Sequence, residues 1–332
     1  MKHLADIVKD FPKKRILVIG DLIADQFIYG EISRVSREAP VFILKHEHTE
    51  TTPGGAGNCA MNLATLGAQV KLISALGDDE TGRIVREKLQ AAHIDCSDLL
   101  VSDRSKTITK VRVLAGQLHS TRQQVIRIDY DSGANLTDES RGQLKKAAAK
   151  AISAADAVIV SDYNYGVGDP EIGAVVRDAT ERRKIPILVD SRFRLSSFRG
   201  FTSATPNEDE VEELLGKKHS GTTALELAAR QLKQQLAYQS LLVTRGGLGM
   251  MLIEDGAAPL HMDAVGSKQP VDVTGAGDTV IATYTLALAA GASFADAARL
   301  ANLAGGLVVL KRGTSTVSPE EILSALPQLT TP

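Results

Sequence analysis

Apolar residues follow two alternating patterns along the chain, and the alternation predicts its architecture. Short continuous apolar runs are typical of strands covered on both faces of a parallel sheet, whereas apolar residues at helical spacing indicate amphipathic helices. The predicted strands are residues 15–20, 70–75, 157–161, 185–190, 241–244 and 250–253. The predicted helices are residues 60–66, 83–92, 138–152, 171–183, 207–215, 223–236 and 295–310. This order predicts an α/β fold with a mainly parallel central sheet, and the last two strands form a hairpin.

Two segments interrupt the alternation, because each holds β-prone residues without a helix between them. They span residues 22–48 and 105–130. The β-prone stretches within them are Phe27–Tyr29, Val41–Leu44, Thr107–Leu114 and Gln124–Asp129. We therefore predict one domain over residues 1–332, with a small antiparallel β-strand lid inserted at these two places. The edges of such a lid are unpaired unless they are covered, so we expect a homodimer formed through the lid.

Composition limits the classes of partner. The chain has 332 residues with 38 Lys and Arg against 40 Asp and Glu, so no basic field attracts nucleic acid or anionic lipid. No apolar run reaches the roughly twenty residues of a membrane-spanning helix, and the first residues lack the apolar centre of a signal peptide. Cys59 and Cys96 are too few for a disulfide framework. We expect a cytoplasmic protein with small-molecule partners, and neither nucleic acid nor membrane.

The chemistry is expected where a glycine-rich loop enters a helix. Gly275, Ala276 and Gly277 precede Asp278, and an apolar helical run follows at once. The first N–H groups of a helix have no internal partner, so a phosphate can bind there. A carboxylate in the same turn repels phosphate, and removing a proton from an attacking hydroxyl would explain its presence. The alternative is a glycine turn whose Asp is favoured by the helix dipole alone.

A longer string around this loop resembles a known family. Residues 272–281 read DVTGAGDTVI and are similar to the C-terminal signature of the ribokinase-like (PfkB) carbohydrate kinases, within them to the heptose-7-phosphate kinase branch. Further matches follow in order at residues 20–21, 53–58, 108–113, 161–163, 205–207, 242–245, 258–262 and 313–319. The resemblance implies a three-layer αβα fold and transfer of a phosphoryl group from ATP, with Mg²⁺, to a sugar or sugar phosphate. Asp278 would be the general base, and the N–H groups of residues 275–277 would stabilise the transferred group.

The resemblance also implies the residues that hold the sugar. Asp21 and Asp25 follow the first strand, at the edge where open α/β sheets bind ligands, although both could be turn or cap residues. Asp162 and Asp190 each end an apolar strand and could merely terminate it. The remaining residues of this predicted sugar site are Arg34, Gly54, Gly55 and Asn58.

Two cations of the second lid segment are candidates for binding a phosphate of the acceptor. Lys110 and Arg112 are two residues apart on a predicted strand, so their side chains share one face. A solvated sheet face is the alternative explanation. The string from Ile108 to Val113 matches the heptose-kinase branch, and this match favours the phosphate-binding interpretation. Arg127, on the next predicted strand, is a further candidate.

The nucleotide and its ions are assigned by the same resemblance. Asn207 and Glu210 have the spacing of a capping pair, which structure alone explains, and the resemblance implies that they hold Mg²⁺ through water. It places the nucleotide beside Thr244, Gly246, Gly247, Thr274 and Asn302. It also implies a monovalent cation, K⁺, at Asp272, Gly313 and Ser318.

The acceptor is less constrained than the reaction, because two cationic positions of the heptose branch differ. The heptose branch has the string Ser-Asp-Tyr-x-Lys-Gly, and Tyr165 replaces its lysine in this chain. The branch also has Asp-Pro-Lys after a strand, where this chain has Asp-Ser-Arg ending at Arg192. Arg192 or Arg194 could restore the phosphate contact. With heptose 7-phosphate, transfer to O1 gives the 1,7-bisphosphate. The alternatives are a kinase for another sugar phosphate, sugar or nucleoside, and a non-catalytic sensor of nucleotide or sugar. The His-x-Gly-His of the branch's fused nucleotidyltransferase has no counterpart here.

Overall fold

Parallel strands form the centre of the fold. The computed structural model describes residues 2–116, 122–131, 136–181, 183–218, 221–266 and 270–330. Its strands are β1 (Arg15–Gly20), β2 (Leu22–Val35), β3 (Phe42–Gly55), β4 (Gln69–Gly77), β5 (Asp95–Ser102), β6 (Thr109–Gly116), β7 (Gln123–Tyr130), β8 (Ala157–Asp162), β9 (Ile187–Ser191), β10 (Ser203–Ala204), β11 (Ser240–Thr244), β12 (Met250–Glu254) and β13 (Leu260–Met262). Six of these strands form one parallel sheet in the order β10-β9-β8-β1-β4-β5. The predicted α/β class is confirmed.

Helices cover both faces of this sheet. They are α1 (Lys2–Lys9), α2 (Ala56–Thr65), α3 (Glu80–Ala91), α4 (Asp138–Ile152), α5 (Pro170–Thr180), α6 (Glu208–Leu215), α7 (Thr222–Leu236), α8 (Ala276–Ala289), α9 (Phe294–Val308) and α10 (Pro319–Ala325). Ile16 and Val18 of β1 pack on the side of α1, α2, α3, α8, α9 and α10, whereas Leu17 and Ile19 pack on the side of α4, α5, α6 and α7. Because both faces are buried, the strand reads as a continuous apolar run. In the described residues, no helix is both long and apolar enough to cross a membrane.

A second, antiparallel sheet continues the first. β11 pairs with β12, as the predicted hairpin requires, and β12 pairs with β13. A parallel bridge joins Asn207 to Thr244, and the Thr244 N–H donates to the Pro206 carbonyl at 2.9 Å. The start of α6 therefore lies beside the end of β11.

The lid is a four-stranded sheet in the order β3-β2-β6-β7. β2 begins two residues after β1 ends, and β3 ends directly before α2, so the lid is continuous with the central sheet. β2 pairs antiparallel with β3, and β6 with β7, but β2 and β6 run parallel. The prediction of a wholly antiparallel lid is therefore wrong. The chain between β2 and β6 includes α2, β4, α3 and β5, and so long a crossover allows two strands to run in the same direction.

The lid strands are also longer than predicted. β2 and β3 each have 14 residues, whereas the sequence pattern predicts only three or four in each. Residues 45–50 of β3 are all polar and exposed, so this part of the strand lacks the apolar alternation that marks a half-buried strand. The sequence prediction also lacks α1, α10, β5 and β13.

Candidate active site

A cleft between the lid and the core is lined by nine of the predicted site residues. It has a volume of about 250 Å³. The lid lines it with Ile23, Asp25, Lys110, Arg112 and Arg127. The end of β3 adds Gly55, and the core lines it with Tyr163, Asp190, Arg192, Thr274, Gly275, Gly277 and Asp278. Residues from seven separate parts of the chain therefore face one small space that holds both carboxylates and cations.

The start of α8 forms one wall of the cleft and has free hydrogen-bond donors. Gly275 is its N-cap with φ 76°, and a Cβ there would lie 2.3 Å from Asn58 Nδ2, so only glycine fits. The N–H groups of Gly275, Gly277 and Asp278 meet no acceptor in the described part of the chain. The Ala276 N–H instead donates to the Val273 carbonyl at 3.2 Å. The prediction that Ala276 supplies a free donor is therefore corrected, since the N–H group of Asp278 is unpaired in its place.

Asp278 is a buried carboxylate with two neutral donors. It is 6% exposed. Asn58 Nδ2 donates to Oδ2 at 2.8 Å, and the Tyr163 hydroxyl donates to Oδ1 at 3.1 Å. Burial raises the pKa of Asp278 to about 7, although the hydrogen bonds from Asn58 and Tyr163 act to lower it. A carboxylate with such a pKa can accept a proton near neutral pH.

A chain of amides fixes Asn58 beneath this carboxylate. Asn62 Nδ2 donates to the Asn58 carbonyl at 2.9 Å and to Asn58 Oδ1 at 3.2 Å. The Thr279 hydroxyl donates to Asn62 Oδ1 at 2.8 Å. These contacts tie α2 to α8 and use both ends of the Asn58 amide. Asn58, predicted to bind a sugar hydroxyl, is thus placed to orient Asp278.

The two lid cations differ in their surroundings. Arg112 Nη1 lies 2.5 Å from Asp25 Oδ1, so its charge is already neutralised. A Cβ on Gly54 would come within 2.2 Å of Asp25 Oδ2, and the glycine therefore leaves room for this carboxylate. Lys110 lies over the rings of Tyr163 and Tyr165, 5.3 and 5.8 Å from their centroids, and forms no ion pair with a described carboxylate. Burial lowers the pKa of Lys110, which marks an ammonium group short of counter-charge.

The loop after β9 separates Arg192 from Arg194. Arg192 lines the cleft, as does Arg127, which is held by the Asp129 carboxylate at 2.7 Å. Arg194 points away from the cleft and pairs with the buried carboxylate of Asp162. Of the two arginines that the sequence leaves open, Arg192 is the one that can reach a ligand in the cleft.

Asp21 and Asp162 lie beneath the cleft and do not line it. Each is 1% exposed. Asp21 accepts backbone N–H bonds from residues 163, 165, 167 and 168, which is about the full capacity of a carboxylate. Asp162 accepts from Arg194, from the Ser191 hydroxyl at 2.6 Å and from the Asn164 N–H at 2.9 Å. Both carboxylates therefore fix the loop after β8, and their binding of sugar hydroxyls stays a prediction.

Two other predicted sugar ligands have different positions. Arg34 is exposed near the far end of β2 and does not line the cleft, so its predicted contact is not formed within this chain. Asp190 lines the cleft, and its carboxylate forms no hydrogen bond or ion pair with the residues the structure describes. Burial raises the pKa of Asp190 well above its ordinary value, and the nearby Asp278 and Glu210 carboxylates raise it further. This excess of negative charge suits a cation or a hydroxyl donor.

Five of the predicted nucleotide residues lie near the ends of β10 and β11, namely Asn207, Glu210, Thr244, Gly246 and Gly247. Asn207 caps α6 in a reciprocal capping box with Glu210, as their spacing predicts. Burial raises the pKa of Glu210, and Arg192 lies close enough to oppose this effect. Thr244 ends β11, and a Cβ on Gly246, Gly247 or Gly277 would meet no atom within 4 Å. Space is therefore open beside these glycines, and Asn207, Glu210 and Asp190 carry oxygen atoms of the kind that Mg²⁺ prefers.

The remaining predicted residues have structural partners. Asn302 Nδ2 donates to the Asp263 carbonyl at 2.8 Å, and the Ser318 hydroxyl caps α10. Asp272 accepts the N–H groups of Thr274 and Gly313, both at 2.9 Å. Burial alone would raise the pKa of Asp272, but these hydrogen bonds outweigh it and the pKa is lowered. Asp272 and Gly313 are therefore adjacent, as the predicted K⁺ site requires, whereas Ser318 is occupied by its helix.

Comparison with known proteins decides the family. Residues 13–321 match the family described as pfkB family carbohydrate kinase. The chain belongs to this family. As a pfkB kinase it is a phosphotransferase that acts on an alcohol group and uses ATP. The bifunctional protein HldE of Edwardsiella ictaluri is 40% identical over 320 residues, and that of Coxiella burnetii is 41% identical over 322 residues.

The extent of these likenesses differs between sequence and structure. Both HldE matches cover 96% of this pfkB kinase but 64% and 65% of the relatives, so the chain spans just under two thirds of their length. Escherichia coli phosphofructokinase-2 in complex with substrates and products superposes with a TM-score of 0.78 at 19% identity, over 96% of this chain and 100% of that one. Arabidopsis thaliana ribokinase complexed with ribose and ATP gives 0.74 at 19% identity, over 96% and 99%. These structures establish the ribokinase-like fold.

One residue of the cleft receives no role from the sequence alone. Tyr163 belongs to the matching string Ser161–Tyr163, but nothing in that string indicates that its hydroxyl reaches Asp278. Arg127 is a candidate from the sequence, and its strand pairing with Arg112 is what brings it to the cleft. Both depend on contacts between distant parts of the chain.

Proposed function

We propose that this pfkB kinase transfers the terminal phosphoryl group of ATP to O1 of D-glycero-D-manno-heptose 7-phosphate, giving the 1,7-bisphosphate. The observation that carries the proposal is a buried carboxylate, Asp278, next to N–H groups and opposite cations that are unpaired among the described residues. The motif strings shared with the heptose-7-phosphate kinase branch support this choice of sugar. Approximately 40% identity to the kinase-sized portion of HldE proteins adds to it.

Asp278 acts as the general base. Each of its oxygens accepts one hydrogen bond within the protein, so lone pairs remain for the acceptor hydroxyl. As the hydroxyl attacks, its proton moves to the carboxylate, and negative charge grows on the transferred phosphoryl group. The N–H groups of Gly275, Gly277 and Asp278 lie where they stabilise this charge, and they are already oriented before the reaction begins.

The phosphate of the acceptor binds to the unpaired cations of the cleft. Lys110 and Arg192 pair with no carboxylate in the described part of the chain, and both point into the space that Asp278 faces. The charge of Arg112 is neutralised by its ion pair with Asp25. This contact orients the Asp25 carboxylate toward a sugar hydroxyl. Arg192 thereby takes the place of the lysine that the heptose branch carries near this position. A free sugar or nucleoside would leave Lys110 buried without a counter-charge, which disfavours both as acceptors.

Asn207 and Glu210 would hold Mg²⁺ through water, and the ion would neutralise charge on the phosphates of the nucleotide. Asp272 and Gly313 would hold K⁺ beside the loop that precedes α8. The structures of E. coli phosphofructokinase-2 include a complex with potassium, which supports this ion for the fold.

The lid and core work as one domain over residues 1–332, and the lid excludes water from the acceptor. Large apolar side chains of the lid are more than half exposed, namely Val35, Val41, Phe42, Ile126 and Tyr130. Such a concentration on one sheet favours burial against a second copy, and a dimer through the lid follows. Light scattering at assay concentration tests this: a dimer is expected for the wild type, and a monomer at all concentrations contradicts it.

A panel of acceptors tests the reaction. Heptose 7-phosphate, other sugar phosphates, free sugars and nucleosides are each incubated with MgATP, and ADP release is measured. We expect the highest kcat/KM with heptose 7-phosphate and the lowest with nucleosides. A free sugar or nucleoside as the best acceptor overturns the assignment of an anionic acceptor. No ADP release with any compound favours the alternative of a nucleotide- or sugar-binding sensor.

A further inference from the structure

The loop after β8 brings a second donor to the catalytic carboxylate. The Tyr163 hydroxyl donates to Asp278 Oδ1 at 3.1 Å, on the side opposite the contact from Asn58. We propose that Tyr163 is a positioning residue for phosphoryl transfer: it holds the Asp278 carboxylate in the orientation that meets the acceptor hydroxyl and stabilises its charged form. The inference rests on the proposed function of Asp278 as the base.

The construction of the loop explains how Tyr163 is held. Asp21 gathers four backbone N–H groups between residues 163 and 168, and Asp162 takes the N–H of Asn164. Asn164 adopts a left-handed backbone with φ 64°, which turns the chain directly after Tyr163. Two buried carboxylates thus fix the backbone on which the tyrosine stands. A positioning side chain needs this kind of rigid support.

The groups around Asp278 give the hydroxyl a defined electrostatic role. Lys110 from β6 lowers the pKa of Asp278, whereas Asp25 from β2 raises it. Asp190 of β9 and Cys59 of α2 also lie close enough to interact with it. Burial raises the pKa of both Tyr163 and Cys59 well above their ordinary values, so both stay neutral. A neutral hydroxyl can therefore donate to the carboxylate at any working pH, which favours the base form.

The ring and the hydroxyl of Tyr163 can be separated by substitution. The ring lies 5.3 Å from Lys110 Nζ, and this contact does not need the hydroxyl. Tyr163→Phe keeps the ring and removes the donor. Tyr238→Phe is the matched control, because the Tyr238 hydroxyl donates to the Phe198 carbonyl at 2.6 Å in the core and does not touch the cleft.

The first readout is the pH dependence of turnover for wild type, Tyr163→Phe and Tyr238→Phe. In Tyr163→Phe we expect kcat to fall about tenfold and KM for ATP to stay unchanged, because the lost hydrogen bond acts on a charged acceptor. The pKa on the acid side of the profile should rise from about 7 to about 8. A purely structural role would lower thermal stability in both variants and leave this pKa unchanged. That outcome overturns the proposal.

The second readout needs no turnover. With ¹³C-carboxyl-labelled aspartate, the Asp278 resonance is identified by its loss in Asp278→Asn, and its titration is followed by NMR. Tyr163→Phe should raise the measured pKa of Asp278, and Tyr238→Phe should not. An unchanged pKa in Tyr163→Phe refutes the proposed contact. If wild-type protein phosphorylates no acceptor, the proposed function fails, and the NMR titration still decides the role of Tyr163 at Asp278.

Discussion

Replacing Lys110 with Met removes a buried cation that faces the cleft and has no ion-pair partner among the described residues. Met keeps an unbranched apolar chain against the rings of Tyr163 and Tyr165, and sulfur packs well on aromatic rings. The fold should therefore survive, and the change isolates the charge. If Lys110 binds the phosphate of the acceptor, the loss should affect that substrate and leave ATP unaffected.

The size of the effect follows from burial. A hydrogen bond between charged groups contributes about 1.5 to 3 kcal/mol, which corresponds to a factor of about 10 to 150 in kcat/KM. Lys110 is 8% exposed, so little water competes for the phosphate. We expect the upper half of that range, because low local dielectric strengthens such contacts.

The assay measures ADP release with heptose 7-phosphate and MgATP varied in turn. Lys110 lowers the pKa of Asp278, so its removal raises that pKa and would reduce turnover by a second route. Working at about pH 8.5, above the pKa of about 7 for Asp278, limits this contribution. Lys150→Met is the control, because Lys150 is exposed on α4 and does not line the cleft. An unchanged kcat/KM for the acceptor in Lys110→Met, or an equal loss for ATP, refutes the reasoning.

Three further predictions concern the cleft and the loops that support it. Because burial raises the pKa of Asp278 to about 7, kcat/KM should fall as pH is lowered through about 7, and a profile flat from about pH 5 to 8 would contradict its role as the base. Gly275→Ala should reduce turnover at least about 100-fold and stability by about 1 to 3 kcal/mol, because its Cβ would lie 2.3 Å from Asn58 Nδ2 at a left-handed φ. Arg194→Ala should cost about 2 to 4 kcal/mol in urea unfolding, because it leaves the buried Asp162 without its cation.

Neighbouring residues provide controls for Gly275→Ala and Arg194→Ala. A Cβ on Gly277 would meet no atom within 4 Å, so Gly277→Ala should keep the Tm of wild type. An equal loss of stability in both glycine variants would contradict the steric argument. Arg192→Ala should change stability by less than about 1 kcal/mol, since Arg192 is exposed and unpaired by any described carboxylate. A larger loss of stability in Arg192→Ala than in Arg194→Ala would reverse the roles assigned to them.

Sequence alone predicts the parts of this fold that depend on local patterns. The central strands are recognisable because burial on both faces requires a continuous apolar run, as in residues 15–20. The start of α8 is recognisable because its glycines and Asp278 are adjacent in the chain. The lid is only partly predicted, since polar strands such as the exposed half of β3 carry no clear alternation.

Contacts between distant segments determine which side chains face the cleft, and a local sequence pattern does not contain this information. Asp21 follows a strand as a ligand-binding residue would, but the loop at residues 163–168, more than 140 positions later, uses its oxygens. Arg192 and Arg194 are two residues apart, and only the turn after β9 determines that one faces the cleft and the other meets Asp162. Tyr163 reaches Asp278 across 115 positions of sequence.

The most direct test of the central claim is the turnover of Asp278→Asn. Asn keeps the size of the side chain and can still meet Asn58 and Tyr163, but it cannot accept the proton of the acceptor hydroxyl. We expect kcat to fall about a hundredfold to ten-thousandfold while the affinity for MgATP, measured by calorimetry, stays close to wild type. Turnover equal to wild type in a correctly folded Asp278→Asn protein would contradict the account.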